Sequence, residues 1–176
     1  VEALYCMAQE QPRIVVAAPE ALVQRTLPKE VLMNHVLRLH LSDTVDLNAL
    51  GERLVHLGYT RCQQVEGMGQ FALRGGILDV FGPGMEAPVR VEFFGDEVDA
   101  MGAFDLASQR RVHNMEQICL LPAGEVLPAM TPGGSTALAE KLEAMAGKLS
   151  NKKRSGSDEL IGRLKADAEL LRQNAL

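Results

Sequence analysis

The stretch FALRGGILDVF, residues 71–81, constrains the fold of this chain more than any other. It is rich in aromatic and aliphatic residues and reads as a strand, yet two glycines interrupt it. Before them, Phe71 and Leu73 share one face while Ala72 and Arg74 share the other. After them, Ile77, Leu78, Val80 and Phe81 put apolar groups on both faces. Glycine within a strand marks a bulge or a sharp bend. The expectation is therefore one strand over residues 70–81, bent at Gly75 and Gly76. Arg74 would stand on the outer face at that bend, in a surface ion pair with Glu92 across the sheet.

The pattern continues as sheet up to residue 123. Further strands are expected over residues 89–94, 97–104 and 112–121, with FGPGMEAP (81–88) as a loop and Gly95-Asp96 as a tight hairpin turn. Val89, Val91 and Phe93 alternate with Arg90, Glu92 and Phe94, as in a half-buried strand with a charged face. Ahead of the sheet, VDLNALGERLVHLGY (45–59) is a clear helix. Leu47, Leu50, Leu54 and Leu57 recur at helical spacing, Asp46 can cap the first turn, and Val45 can staple onto Leu50. Gly58 ends it, as a residue free to adopt positive φ. The alternation in VLRLHLSD (36–43) is too mixed to assign.

The two ends read differently. Ile14, Val15 and Val16 suggest a short buried strand, and Pro19 suits the first turn of a helix. One strand and one turn make no core, so this looks like the edge of a larger α/β domain. LPAMTPGGS (127–135) is linker-like. Helices are expected over residues 136–149, with Leu138, Leu142, Met145 and Leu149 on one face, and 158–174, with Leu160, Ile161, Leu164, Ala168 and Leu171 inward. Ser157 is the expected cap of the second, and NKKRSGS (151–157) a basic, solvated loop. The fold class is α/β of the α+β kind. A mainly antiparallel sheet with a covering helix (36–123) lies between the edge of a degenerate helicase-like domain (1–35) and a helical hairpin (124–176).

Composition narrows the function. The net charge of -5 argues against a dedicated duplex-DNA binder, whose affinity comes from phosphate neutralisation. A nucleic-acid reading would rest on Arg110, Arg111 and Lys152–Arg154, with no Trp and only 4% aromatics for stacking. No apolar run approaches the roughly 20 residues of a membrane-spanning helix. The chain begins at Val1, so a processed product or an excised piece is expected, the piece being favoured. Cys6, Cys62 and Cys119 are odd in number and far apart, as apolar fillers in a reducing cytoplasm would be.

Enzymatic signatures are missing: no phosphate-cradling P-loop, no nucleophile elbow, no zinc-protease motif and no dinucleotide loop. His35 and His40 lie five apart, on different sides of a helix or strand, and no metal is expected there. Asp96, Glu97, Asp99 and Asp105 cluster around a hairpin without the spacing of a calcium loop, and read as a solvated turn. A single Arg-Gly-Gly between Phe71 and Ile77 is not the repeated RNA-binding box of disordered segments.

The string GYTRCQQVEGMGQFALRGGILDVFGPGMEAPVRVEFFGDEVDAMGAFDLASQRR (58–111) resembles a domain shared by two bacterial repair proteins. These are the nucleotide-excision repair helicase subunit UvrB and the transcription-repair coupling factor. The shared pattern is G-Y, V-E-x-x-G-x-F-x-x-R-G-G-I-L-D-x-F, P-x-R-x-E-F-F-x-D-E, F-D and S-Q-R, in fixed order over about fifty residues. Phe71-Ala72-Leu73-Arg74 and Arg61-Cys62-Gln63 are more similar to the coupling factor than to UvrB, as are IVVAAPEALVQRTLP upstream and LLPAGEVLP at the exit. Three positions depart from the pattern: Gly82-Pro83 after Phe81, Gly102 in place of a common arginine, and Ala72 without the arginine of UvrB-like chains. The last two remove positive charge.

The resemblance implies a docking module, not a motor. Its expected partner is UvrA, the damage-recognition subunit, recruited to stalled RNA polymerase. The positions carried over for that contact are Arg61 and Arg74, with Phe81 and Glu92 behind them; Gly58, Gly75 and Gly76 would be structural. It implies no cofactor for this stretch, with ATP and Mg in a parent that is an ATP-driven DNA translocase. The fragment itself would be a cytoplasmic monomer without catalytic residues, metal, membrane or specific nucleic-acid contact. The equivalent domain of UvrB is the alternative.

Overall fold

A computed structural model describes residues 1–9, 14–23, 26–125, 127–128, 131–151 and 158–173. The chain divides into two units, Val1–Glu125 and Val126–Leu176. The first opens with three short helices, α1 (Glu2–Ala8), α2 (Pro19–Val23) and α3 (Lys29–Asn34). Residues 14–16, expected as a buried strand, are not one: Ile14 is 96% and Val16 93% exposed. β-Branched residues favour a strand only where a neighbouring strand accepts their hydrogen bonds, and among the described residues no strand pairs with them. Pro19 does begin α2, as its fixed φ suits.

The run left open over residues 36–43 contains β1 (Leu37–His40), with Leu37 and Leu39 buried and Arg38 and His40 exposed. It pairs antiparallel with β8 (Gln117–Leu120), Leu37 opposite Leu120. Then comes α4 (Leu47–His56). The Asp46 carboxylate accepts from the N–H groups of Asn48 and Ala49 at 2.8 and 3.0 Å, which satisfies two donors that the helix cannot. The far end closes on Gly58 at φ +86°. The Gly58 N–H donates to Val55 C=O at 2.9 Å and the Tyr59 N–H to Leu54 C=O at 3.0 Å. That double bond pattern needs a left-handed residue at position 58.

Six strands form the main sheet, in the order β2 (Thr60–Arg61), β3 (Gln70–Arg74), β4 (Ile77–Phe81), β5 (Val89–Phe94), β6 (Glu97–Phe104) and β7 (Arg111–Asn114). All neighbours are antiparallel except β2 and β3. Two expectations need correction. The strand of residues 70–81 is two strands, since Arg74 pairs with Ile77 across a two-residue turn at Gly75-Gly76. The strand of residues 112–121 is also two, because β8 leaves the main sheet to pair with β1.

Register sorts the side chains into two faces. One row runs Phe71, Val80, Val89, Ala103 and the next Leu73, Leu78, Val91, Met101. Phe71, Leu78, Val80 and Val91 are fully buried. Helix α4 packs here: Gly51 faces the Leu73 and Phe71 side chains, and Leu50 and Leu54 are buried beside it. The opposite face carries Ala72, Asp79, Arg90 and Gly102 in one row and Arg74, Ile77, Glu92 and Ala100 in the next.

The second unit is a helical pair, α5 (Gly134–Asn151) and α6 (Asp158–Gln173). Its inward face follows the expectation at Leu138, Leu142, Leu149, Ile161, Leu164, Ala168 and Leu171, which are buried or half-buried, and departs from it at Met145 and Leu160. Ala139, Ala146 and Ala168 are its buried residues, while Met145 is 52% and Leu160 49% exposed. The short alanine side chains are the most deeply buried on these helices, and the longer inward residues keep part of their length in water. Arg172 on α6 grips Glu143 on α5 through two hydrogen bonds, 3.1 and 2.9 Å. Ser157 and the basic run Lys152–Arg154 lie outside the described residues.

Candidate protein-docking face

The turn between β3 and β4 sets this face. Gly75 sits at φ +56°, where side chains are strained. Gly76 has no room for one, because a Cβ would lie 2.8 Å from the Phe93 carbonyl oxygen. The Phe93 N–H in turn donates to Gly76 C=O at 2.8 Å, which ties the turn to β5. The two glycines thus form a hairpin turn, not the bend expected from sequence.

The turn changes the partner of Arg74. On a hairpin closed at Arg74–Ile77, Asp79 lies opposite Ala72, two pairs along and so on the same face as Arg74. Arg74 Nη2 donates to Asp79 Oδ2 at 2.6 Å. The expected pair with Glu92 is not made; Glu92 accepts from Arg111 Nη2 on β7 instead.

Asp79 is the buried charge of this face, 1% exposed. A carboxylate removed from water needs its lone pairs filled. Arg90 supplies two donors, Nε to Oδ1 at 2.6 Å and Nη2 to Oδ2 at 2.9 Å. Arg90 is itself held by Gln109 Oε1 at 3.3 Å and lies over the Phe104 ring, 4.8 Å from its centroid. The hydrogen bond to Asp79 raises the Arg90 pKa above its ordinary value, outweighing the lowering by burial. Two arginines on one carboxylate leave one positive charge in excess. It falls to Arg74, whose side chain is 49% exposed, against 23% for Arg90.

Arg61 reaches the same neighbourhood from another element. It follows the Gly58 turn on β2, whose two residues pair with Gln70 and Phe71. Arg61, Cys62, Gln63, Gln64 and Glu66 line a groove of about 820 Å³ together with Leu73 and Arg74. Burial raises the Cys62 thiol pKa, and its Sγ lies 3.2 Å from Phe71 C=O as a donor. Arg61 and Arg74 therefore line the same groove. Phe81 is not among the groove residues; it is half-buried at the far end of β4, opposite Gln70. Glu92 stands two strands from β3, next to Arg111.

Sequence reasoning missed Asp79 and Arg90. The signal was present: one acid inside the apolar run ILDVF, and an arginine of matching parity one strand later. It also missed Phe94 (84% exposed) and Ile77, apolar residues that alternation puts on the face of Glu92 and Arg74. Of the departures, Gly102 has a steric reason: a Cβ there would lie 2.4 Å from the His113 carbonyl oxygen. Ala72 is fully buried directly opposite Asp79.

The model of the UvrB interaction domain matches residues 37–125, from the start of β1 to the end of the first unit. The chain belongs to the UvrB interaction domain family. Its curated relatives include the transcription-repair-coupling factor of Myxococcus xanthus, 41% identical over 113 residues, which is 64% of this chain and 9% of that protein. The factor of Escherichia coli K12 is 37% identical over 122 residues, 69% of this chain and 11% of that protein. That of Staphylococcus aureus USA300 is 31% identical over 127 residues, 72% and 11%. The chain thus spans about a tenth of the length of these relatives. Every residue of the face described above lies within the stretch the UvrB interaction domain model matches. Among the described residues no helix is long and apolar enough to cross a membrane.

Proposed function

We propose that this chain is the UvrA-docking segment of a transcription-repair coupling factor. The observation that carries the reading is the convergence of Arg61 and Arg74 on one groove, from two different strands, inside the family-matched region. A planar guanidinium held by the fold suits a carboxylate on a partner. Glu92, Phe81 and the exposed Phe94 would widen that contact. In this reading the segment is non-catalytic and cytoplasmic, acts as a monomer, and hands UvrA to a stalled RNA polymerase. The parent would supply ATP- and Mg-dependent translocation elsewhere in its length. Residues 1–35 would be the edge of its degenerate helicase-like lobe and 124–176 a helical part of the same lobe.

The family relationship alone would also fit the equivalent domain of UvrB; the coupling-factor relatives favour the first choice. A DNA-binding reading gains little support, since Arg111 is engaged by Glu92 and Asn114. The test is a titration of the chain against purified UvrA, with an Arg61→Ala/Arg74→Ala variant whose circular dichroism matches wild type. Binding that the variant loses is the expected result. Absence of wild-type binding would discard the partner; equal binding by the variant would keep the partner and discard the groove.

A further inference from the structure

We infer that Asp79 is the positioning residue of the docking surface, presetting Arg74 for a carboxylate-bearing partner. The inference rests on the docking reading above and adds to it the residue that orients the contact.

Arg74 sits at the end of its strand, half exposed, where a long side chain ordinarily samples many rotamers. Its Nη2 is pinned to Asp79 Oδ2 at 2.6 Å, and its other donors make no hydrogen bond among the described residues. Asp79 cannot follow Arg74 outward. It is 1% exposed, on a strand paired on both sides, and Arg90 clamps both of its oxygens. Arg90 is backed in turn by Gln109 and the Phe104 ring. The chain of contacts runs from the packed interior to one guanidinium nitrogen of Arg74, a residue that lines the groove together with Arg61. Freezing a long side chain before binding spares its loss of rotamer freedom on association, an effect of about three- to tenfold in affinity. The single excess positive charge selects an acidic surface.

Asp79 also cancels charge that would attract such a partner at a distance, so the two effects oppose each other and salt separates them. The experiment is a double-mutant cycle with the full chain and purified UvrA, run at low and at high salt. At high salt, Asp79→Asn is expected to weaken binding about three- to tenfold in the wild-type background. In the Arg74→Ala background it should change affinity by less than about twofold, because the side chain it orients is gone. Asp79→Glu keeps the charge but displaces the pin by one methylene; it should bind several-fold more weakly, again only when Arg74 is present. It serves as the second arm if Asp79→Asn does not fold. Equal losses with and without Arg74, or wild-type affinity in Asp79→Glu, would overturn the inference while the docking reading stands. No binding by the wild-type chain would instead defeat the docking reading, and this inference with it.

Discussion

The two faces of the main sheet are made by the same strands, residue by alternate residue, and are held in opposite ways. The face under α4 is a continuous apolar surface: Phe71, Leu78, Val80 and Val91 lose essentially all contact with water. Its cohesion is non-directional, from apolar area removed from water and close packing. The other face is organised around a carboxylate. Asp79 is buried as deeply as the core, but its neighbours are guanidinium groups with defined hydrogen bonds. The first arrangement tolerates volume-conserving swaps at moderate cost. The second depends on which atom meets which, so it holds a surface arginine in one place. A sheet can therefore use one side to fold and the other to present charge.

Truncation on each side tests that contrast. The largest loss is expected on the apolar face: Phe71→Ala should cost about 3–5 kcal/mol in urea unfolding, the transfer and cavity cost of a buried aromatic ring. Asp79→Ala should cost about 2–3 kcal/mol. That is below the loss for breaking a fully buried ion pair, because both arginines keep partial access to water. A cost above that of Phe71→Ala would mean the polar face is the real core. Gly102→Ala follows at about 1–3 kcal/mol, as overpacking against the His113 carbonyl; an unchanged unfolding midpoint would show that β7 yields freely. The smallest effect belongs to Glu92→Gln, below about 1 kcal/mol, since both partners of its ion pair with Arg111 are partly solvated. Its signature should be a changed salt dependence of partner association, with little change in stability.

Features governed by near neighbours in the chain were legible in advance. Helix α4, its Asp46 cap and its Gly58 stop follow from spacing and from one residue each, as does the hairpin at Gly95-Asp96. Strand β5 was readable from its alternation. The turn at Gly75-Gly76 was not, because a strand pattern with two central glycines suits a bend as well as a hairpin. That one ambiguity misassigned the partner of Arg74. In an extended strand, residues 74 and 79 have opposite parity and point apart; folded back at 75–76, they share a face. The helical pair shows a similar limit, as periodicity marked the leucine stripe and Ala168 but not the burial of Ala139 and Ala146.

The sequence by itself pointed to the UvrB interaction domain family and determined the helix with its caps. These signals are local, or a fixed order of residues, and need no knowledge of what lies across the sheet. Only the tertiary structure decided that Arg61 and Arg74 line one groove, that Glu92 belongs to Arg111, and that Asp79 is the buried anchor between Arg74 and Arg90. The physical reason is register: hydrogen-bonded pairing chooses each cross-strand neighbour, and a shift of one residue moves every side chain to the other face.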